Sequence, residues 1–206
     1  MSKDNLNIFI FGLGAIGSNL LVQLVKKYPQ YKYFGVDYDI VEERNLMTQA
    51  YFKPHIGQLK VRALTPVLSM KLNKFNYEGK MNKIQTGQDI DAVLRYNVDT
   101  DKQHNLFVDC FDNSESRALL HKHLSASNIV HVGFSPQYSA EILWGHAYSV
   151  PKDIPEDQND ICEMTEAIPF IQFVVSLACM NISEFVDNDN KKNLIITNKL
   201  RIQYLD

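Results

Sequence analysis

The chain opens on an apolar run, Ile8, Phe9, Ile10 and Phe11, that ends at Gly12. A run without polar alternation, bounded by glycine, predicts a strand buried on both faces, as in a parallel sheet. The period then changes. Ile16, Leu20 and Leu24, with Leu21 and Val25, recur at three- and four-residue steps, which predicts a helix through residues 15–28. Residues 31–39, YKYFGVDYD, return to a strand. Strand, helix and strand of these lengths make a right-handed crossover unit. Residues 57–73 read as a second helix in which Pro66 marks a kink or a late first turn. Residues 81–87, MNKIQTG, predict an outer strand, and 89–96 a short helix.

The second half repeats the alternation. Residues 105–113, NLFVDCFDN, predict a buried strand, 114–127 a helix, and 128–135 and 140–150 two strands. Residues 151–167 are polar, carry two prolines and predict a mobile loop. An apolar helix is expected near residues 168–186, and residues 194–206 close the chain as a strand. The expected fold class is α/β: a Rossmann-like, doubly wound, mostly parallel sheet with additional antiparallel strands toward the C-terminus. The 206 residues suit one domain.

Composition narrows the functional classes. The net charge of −3 leaves no basic footprint for nucleic acid. Three widely spaced cysteines do not make a disulfide framework and fit a reducing compartment. The first residues enter a strand at once, without a signal-peptide pattern. The apolar stretch 167–186 contains a proline, a glutamine and an asparagine. It is read as a buried helix broken well short of a membrane span. A soluble, cytoplasmic protein is expected.

Gly12, Gly14 and Gly17 form G-x-G-x-x-G between the first strand and helix. In this pattern the first glycine permits a tight turn, the second clears space for phosphate and the third lets helix and strand pack closely. The helix N-terminus adds free N–H groups and a positive dipole end. Asp37, twenty residues after Gly17, stands where a ribose-binding carboxylate belongs. The turn alone does not separate dinucleotides from ATP.

The residues downstream do. D-x-D-x-V at Asp37, Asp39 and Val41 is followed by N-L-x-x-Q at Asn45 and Gln49, and by G-x-x-K at Gly57 and Lys60. A further segment, VDCFDNSESRALL, begins at Val108. With these pieces in this order, residues 7–117 resemble the ThiF/MoeB/ubiquitin-activating-enzyme-like adenylating family, and a weaker likeness continues to the end. The resemblance implies a domain that binds ATP and Mg²⁺ and adenylates the C-terminal carboxylate of a ubiquitin-like protein, a sulfur-carrier protein or a peptide. It implies that Lys60 faces the phosphates and that Asn45 and Gln49 contact phosphate or the substrate tail. Asp37 binds ribose, Asp39 supports it, and Asp112 holds the magnesium. It also implies a homodimer, or a heterodimer with a relative.

Local readings of the same residues stand beside these roles. Lys60 also fits a solvated helix lysine. Asn45 and Gln49 also fit caps of the loop after the second strand. Asp112, Asn113, Ser114 and Glu115 also read as a capping box. Asp109 is placed to hold the loop, and Arg117 to make a structural ion pair. Cys162, in the polar loop ahead of the apolar helix, is either the family's reactive cysteine or incidental. Cys110 and Cys179 read as core. No C-x-x-C pair is present, so no zinc is expected in the four-cysteine mode. His121 and His123 point to different sides of a helix, His131 has no adjacent ligand pair, and the histidines read as structural or surface.

The family pattern N-L-x-R-Q has Thr48 in place of arginine, and a hydroxyl cannot replace a guanidinium against phosphate. Three readings remain: an adenylating enzyme, a catalytically impaired scaffold or partner subunit, and an NAD(P)-dependent oxidoreductase.

Overall fold

The computed structural model describes residues 6–95, 105–124, 128–135, 137–151 and 165–205. Strand β1 (Asn7–Phe11) leads through the glycine turn into α1 (Ala15–Lys27) and β2 (Lys32–Val36). Helix α2 (Lys60–Ser69), β3 (Asn76–Lys80), α3 (Gly87–Arg95) and β4 (Asn105–Asp109) follow. Then come α4 (Ser114–His123), β5 (Asn128–Phe134), β6 (Ala140–Trp144), α5 (Ile168–Asn188), β7 (Asn193–Ile196) and β8 (Ile202–Leu205).

Among the described residues the strands form one sheet in the order β3-β2-β1-β4-β5-β6-β7-β8. The pairs from β3 to β5 are parallel, and β5 to β8 pair antiparallel. The expected mixed α/β architecture is therefore the observed one.

The unbroken apolar run of β1 serves two cores. Ile8 and Ile10 face a cluster with Leu20, Leu24, Leu64 and Val174 from α1, α2 and α5. Phe9 and Phe11 face the other layer, with Ile90, Val93, Leu120 and Leu124 from α3 and α4. There Phe9 stacks 4.5 Å from Phe34 and 5.2 Å from Phe107, ring centroid to ring centroid. Period-two alternation with apolar side chains on both faces is what a sheet covered by helices on both sides requires.

Three expectations need correction. The outer strand is Asn76–Lys80, one segment earlier than MNKIQTG. It lies in register with β2, and α2 presses on it so closely that a Cβ at Gly79 would stand 2.6 Å from the Val61 carbonyl oxygen. The closing strand is a hairpin, β7 and β8, whose turn contains Leu200 at φ 57°. The apolar helix is not broken. Pro169 occupies its first turn, where the missing N–H costs nothing.

Helix α5 thus runs 21 residues and is long and apolar enough to cross a membrane. In this fold it packs along α1 and buries one face in the core. Its Asn181 is satisfied there, accepting from Trp144 Nε1 at 2.8 Å and donating to the Lys192 carbonyl at 2.7 Å. Pro66 lies in the interior of α2 on an exposed face, so the Arg62 carbonyl it leaves unpaired can turn to water.

Candidate active site

The chain leaves β1 toward β2 on one side, and β4 continues on the other. This places a crevice beyond the C-terminal ends of β1 and β4, where open α/β sheets take ligands. The glycine turn forms its floor. Gly12 adopts φ +84°, and a Cβ there would meet the Cys110 carbonyl oxygen at 2.7 Å. A Cβ at Gly17 would stand 1.9 Å from the Gly12 carbonyl oxygen. Gly14 differs: a Cβ there would meet nothing within 4 Å. Two glycines answer internal packing, and the third opens onto free space at the uncapped start of α1.

A wall folds back over this floor. Asn19 on α1 donates to the Thr48 carbonyl at 2.8 Å, and Ser18 Oγ accepts from Ala50 N at 3.1 Å. Tyr51, buried, donates its hydroxyl to the Leu13 carbonyl at 2.9 Å. Thr48 is itself buried at the base of this wall. Asn45 is buried too, its Oδ1 accepting from Glu42 N at 2.9 Å to close a short 3₁₀ turn over Glu43–Leu46. The capping reading of Asn45 is therefore what the geometry displays. The neighbouring Gln49 keeps a buried side-chain oxygen without a hydrogen-bond partner.

The two acidic residues after β2 play different parts. Asp37 is buried, its Oδ2 accepting from Leu13 N at 2.7 Å and its Oδ1 from Asp39 N at 2.8 Å. Burial raises its pKa, opposed by the charge of Lys60 and by these two N–H groups. Asp37 thus ties the glycine turn to the end of β2. Asp39 is half exposed and holds Lys60 Nζ at 3.1 Å. The solvated-helix reading of Lys60 fails: its side chain is nine-tenths buried.

Asp112 lies exposed beyond β4. The predicted capping box is shifted by one residue, because Asn113 is the cap of α4 and accepts from Ser116 N at 2.8 Å. Among the described residues the Asp112 carboxylate accepts one hydrogen bond, from Asn113 Nδ2 at 3.2 Å. Arg117 donates to the Phe111 carbonyl at 2.7 Å and so braces this loop through a backbone bond, where an ion pair was expected. Asp109 accepts from Phe111 N at 3.1 Å, as expected of a residue holding the loop. Cys179 is buried in α5, and Cys162 lies outside the described residues, as does most of the 151–167 loop.

Two features escaped the sequence reading. Tyr38, between the two aspartates, is half exposed, and burial together with Asp39 and Asp112 raises its pKa. It lies just beyond β2, and Lys83 Nζ lies 5.2 Å from its ring centroid. An exposed aromatic between two acids was the available signal. The second is a cluster behind the Asp112 loop, where His121 and His131 both meet Asp109 Oδ2, at 3.0 and 2.9 Å. Burial would raise the Asp109 pKa, but the two histidines outweigh it and hold this carboxyl well below the usual range. The reading of His131 as isolated is corrected.

A family model described as the ThiF family matches residues 3–203. The chain belongs to the ThiF family. No match is found among curated protein sequences. Among solved structures, E. coli MccB with MccA-N7isoASN superposes with a TM-score of 0.74 at 14% identity, covering 99% of this chain and 65% of that one. PaaA gives 0.74 at 14% identity, with 98% and 64% covered. E. coli MccB with ATP gives 0.71 at 15% identity, with 99% and 64% covered. This ThiF-family chain thus spans just under two thirds of the length of these neighbours, and at such identity the likeness is one of fold.

Proposed function

We propose that the protein is an ATP-dependent adenylyltransferase acting on a C-terminal carboxylate, with a peptide as the favoured substrate class and a ubiquitin-like or sulfur-carrier protein as the other. What supports this reading is that, in a ThiF-family chain, the open Gly14 turn follows β1, the buried Lys60 begins α2 beyond β2 and the exposed Asp112 follows β4, all on the side of the sheet where the parallel strands end. Neighbouring folds of MccB solved with ATP and with MccA support it.

The residues fit ATP in stated ways. The phosphates lie over Gly14 and the N–H groups of the α1 first turn. Asp39, being exposed, takes the ribose hydroxyls, and Asp37 positions the turn. Tyr38 offers an aromatic face to the base. Gln49 has a buried side-chain oxygen that could accept a hydrogen bond from a donor on the ligand or the substrate. Lys60 supplies positive charge as pyrophosphate leaves. In the reaction the substrate carboxylate oxygen bonds to the α-phosphorus, the bond to the β-phosphate bridge breaks, and an acyl adenylate forms. Asp112 suits Mg²⁺, a hard cation that binds through one or two carboxylates and would screen phosphate charge when bound. Later attack of the Cys162 thiol on the acyl carbon, with loss of AMP, would give a thioester as a further step of the same proposal; a persulfide on Cys162 would need a separate sulfane-sulfur donor.

Pyrophosphate exchange into ATP, dependent on Mg²⁺ and on an added peptide or carrier with a free C-terminus, tests the reading. Silence with every carboxylate, together with saturable NADH binding, would replace it by the oxidoreductase alternative.

One observation favours a second reading. Thr48, at the family's arginine position, is buried. A scaffold that completes a larger relative would need no cation there. Turnover by the isolated chain removes this reading, and turnover only on adding a partner supports it. A dimer is proposed through α5, where Met180 is exposed beside the half-buried Leu177, and sedimentation measures it.

A further inference from the structure

Asp109 closes β4, His121 projects from α4 and His131 from β5. One ligand-capable atom from each lies within 4.8 Å of the others. Asp109 and His131 are sealed from solvent, while His121 keeps 12% side-chain exposure. Tyr148 covers the cluster, its ring stacked on His131 with centroids 3.9 Å apart.

The protons on His131 do not balance in a neutral state. Its Nδ1 meets Asp109, and its Nε2 faces Glu141 Oε1 at 3.5 Å. A neutral imidazole carries one N–H. One nitrogen must then turn a lone pair toward a carboxylate, in a buried place where unmatched polar groups are costly. A metal cation bound by Nδ1 and Asp109 resolves this. Nε2 keeps its proton and presents it to Glu141, the arrangement usual for a metal-bound histidine with an outer carboxylate. His121 Nε2, on the same Asp109 oxygen, supplies the third donor and the exposed edge by which an ion enters.

The donor set decides the class of ion. Magnesium and calcium take oxygen ligands, whereas two imidazoles and one carboxylate suit a d-block dication. We propose that Asp109, His121 and His131 form a binding site for a divalent transition-metal ion of the zinc class, distinct from the magnesium position at Asp112. Three protein ligands leave one position for water. The ion would fasten α4 and β5 to β4. Through the Asp109–Phe111 bond it would also set the loop that carries Asp112.

The metal alone tests this, with no substrate and no turnover, so failure of the adenylation reading leaves it standing. Full-length protein is stripped with chelator, then titrated with Zn²⁺ by calorimetry and with Co²⁺ by visible absorption. One equivalent binds per chain, and Co²⁺ develops the intense d–d bands of a tetrahedral site. His121→Gln, at the partly exposed position, loses at least about 100-fold in affinity, and Glu141→Gln about 10-fold. Circular dichroism confirms that both variants fold. Absence of stoichiometric binding to the stripped chain, or binding unchanged in His121→Gln, overturns the site. So does a nitrogen-15 spectrum showing both nitrogens of His131 protonated in the presence of saturating Zn²⁺.

Discussion

Lys60 Nζ sits 3.1 Å from Asp39 Oδ2, with the lysine side chain nine-tenths buried and the aspartate side chain half exposed. A buried cation whose partner faces solvent is held ready at the edge of the crevice. Removing it should damage the reaction more than the fold. Lys60→Ala is expected to reduce pyrophosphate exchange by about 100-fold, the scale of losing one preorganised charge on a transition state. Far-ultraviolet circular dichroism should be unchanged.

Asp37 and Asp39 should separate in a paired experiment. Asp37→Asn turns an amide toward two backbone N–H groups and is expected to cost about 1–3 kcal/mol of stability. Asp39→Asn removes the charged partner of the buried Lys60, so it is expected to cost less stability than Asp37→Asn and to weaken ATP binding. The pH dependence follows from the Asp37 carboxyl. Its folded pKa is raised, so the folded state keeps the proton longer than the unfolded chain. Stability therefore falls as pH rises from about 3.9 through the folded value. Urea unfolding between pH 4 and 7 should show this slope in the natural chain and not in Asp37→Asn.

The glycines give the plainest contrast. Gly17→Ala forces a methyl onto the Gly12 carbonyl and should destabilise by about 3 kcal/mol or more. Gly14→Ala meets no protein atom and should leave thermal unfolding alone. If the space above Gly14 is the phosphate site, the second variant loses nucleotide affinity, which isothermal calorimetry reads directly.

Neighbours at the start of α4 should divide likewise. Asn113→Ala removes the helix cap, at a cost of about 1 kcal/mol, and lowers the melting temperature by about 2–4 °C. Asp112→Ala should not move the melting temperature but should raise the Mg²⁺ concentration needed for exchange.

Much of this was legible in the chain. The two-period alternation of β1, α1 and β2 placed the crevice, and the glycine spacing placed its floor. Tertiary contacts decided the rest. Sequence spacing gives the ribose to Asp37 and a supporting part to Asp39, whereas the Leu13 and Asp39 N–H groups already occupy the buried Asp37 and Asp39 is the one exposed. Asp109, His121 and His131 sit ten or more residues apart on three elements, so no helical or strand spacing links them. Edge strand β3 carries too few apolar residues to show its place without its pairing to β2.

The clip between α1 and residues 48–51 constrains position 48. Thr48 is packed beneath that clip, and its own carbonyl is one of the fastening points. A guanidinium at this position would have to pry the wall from the helix to fit. Thr48→Arg is thus expected to cost packing at the clip as well as to add a cation. A second positive charge beside the phosphates would come more easily from another segment or another molecule.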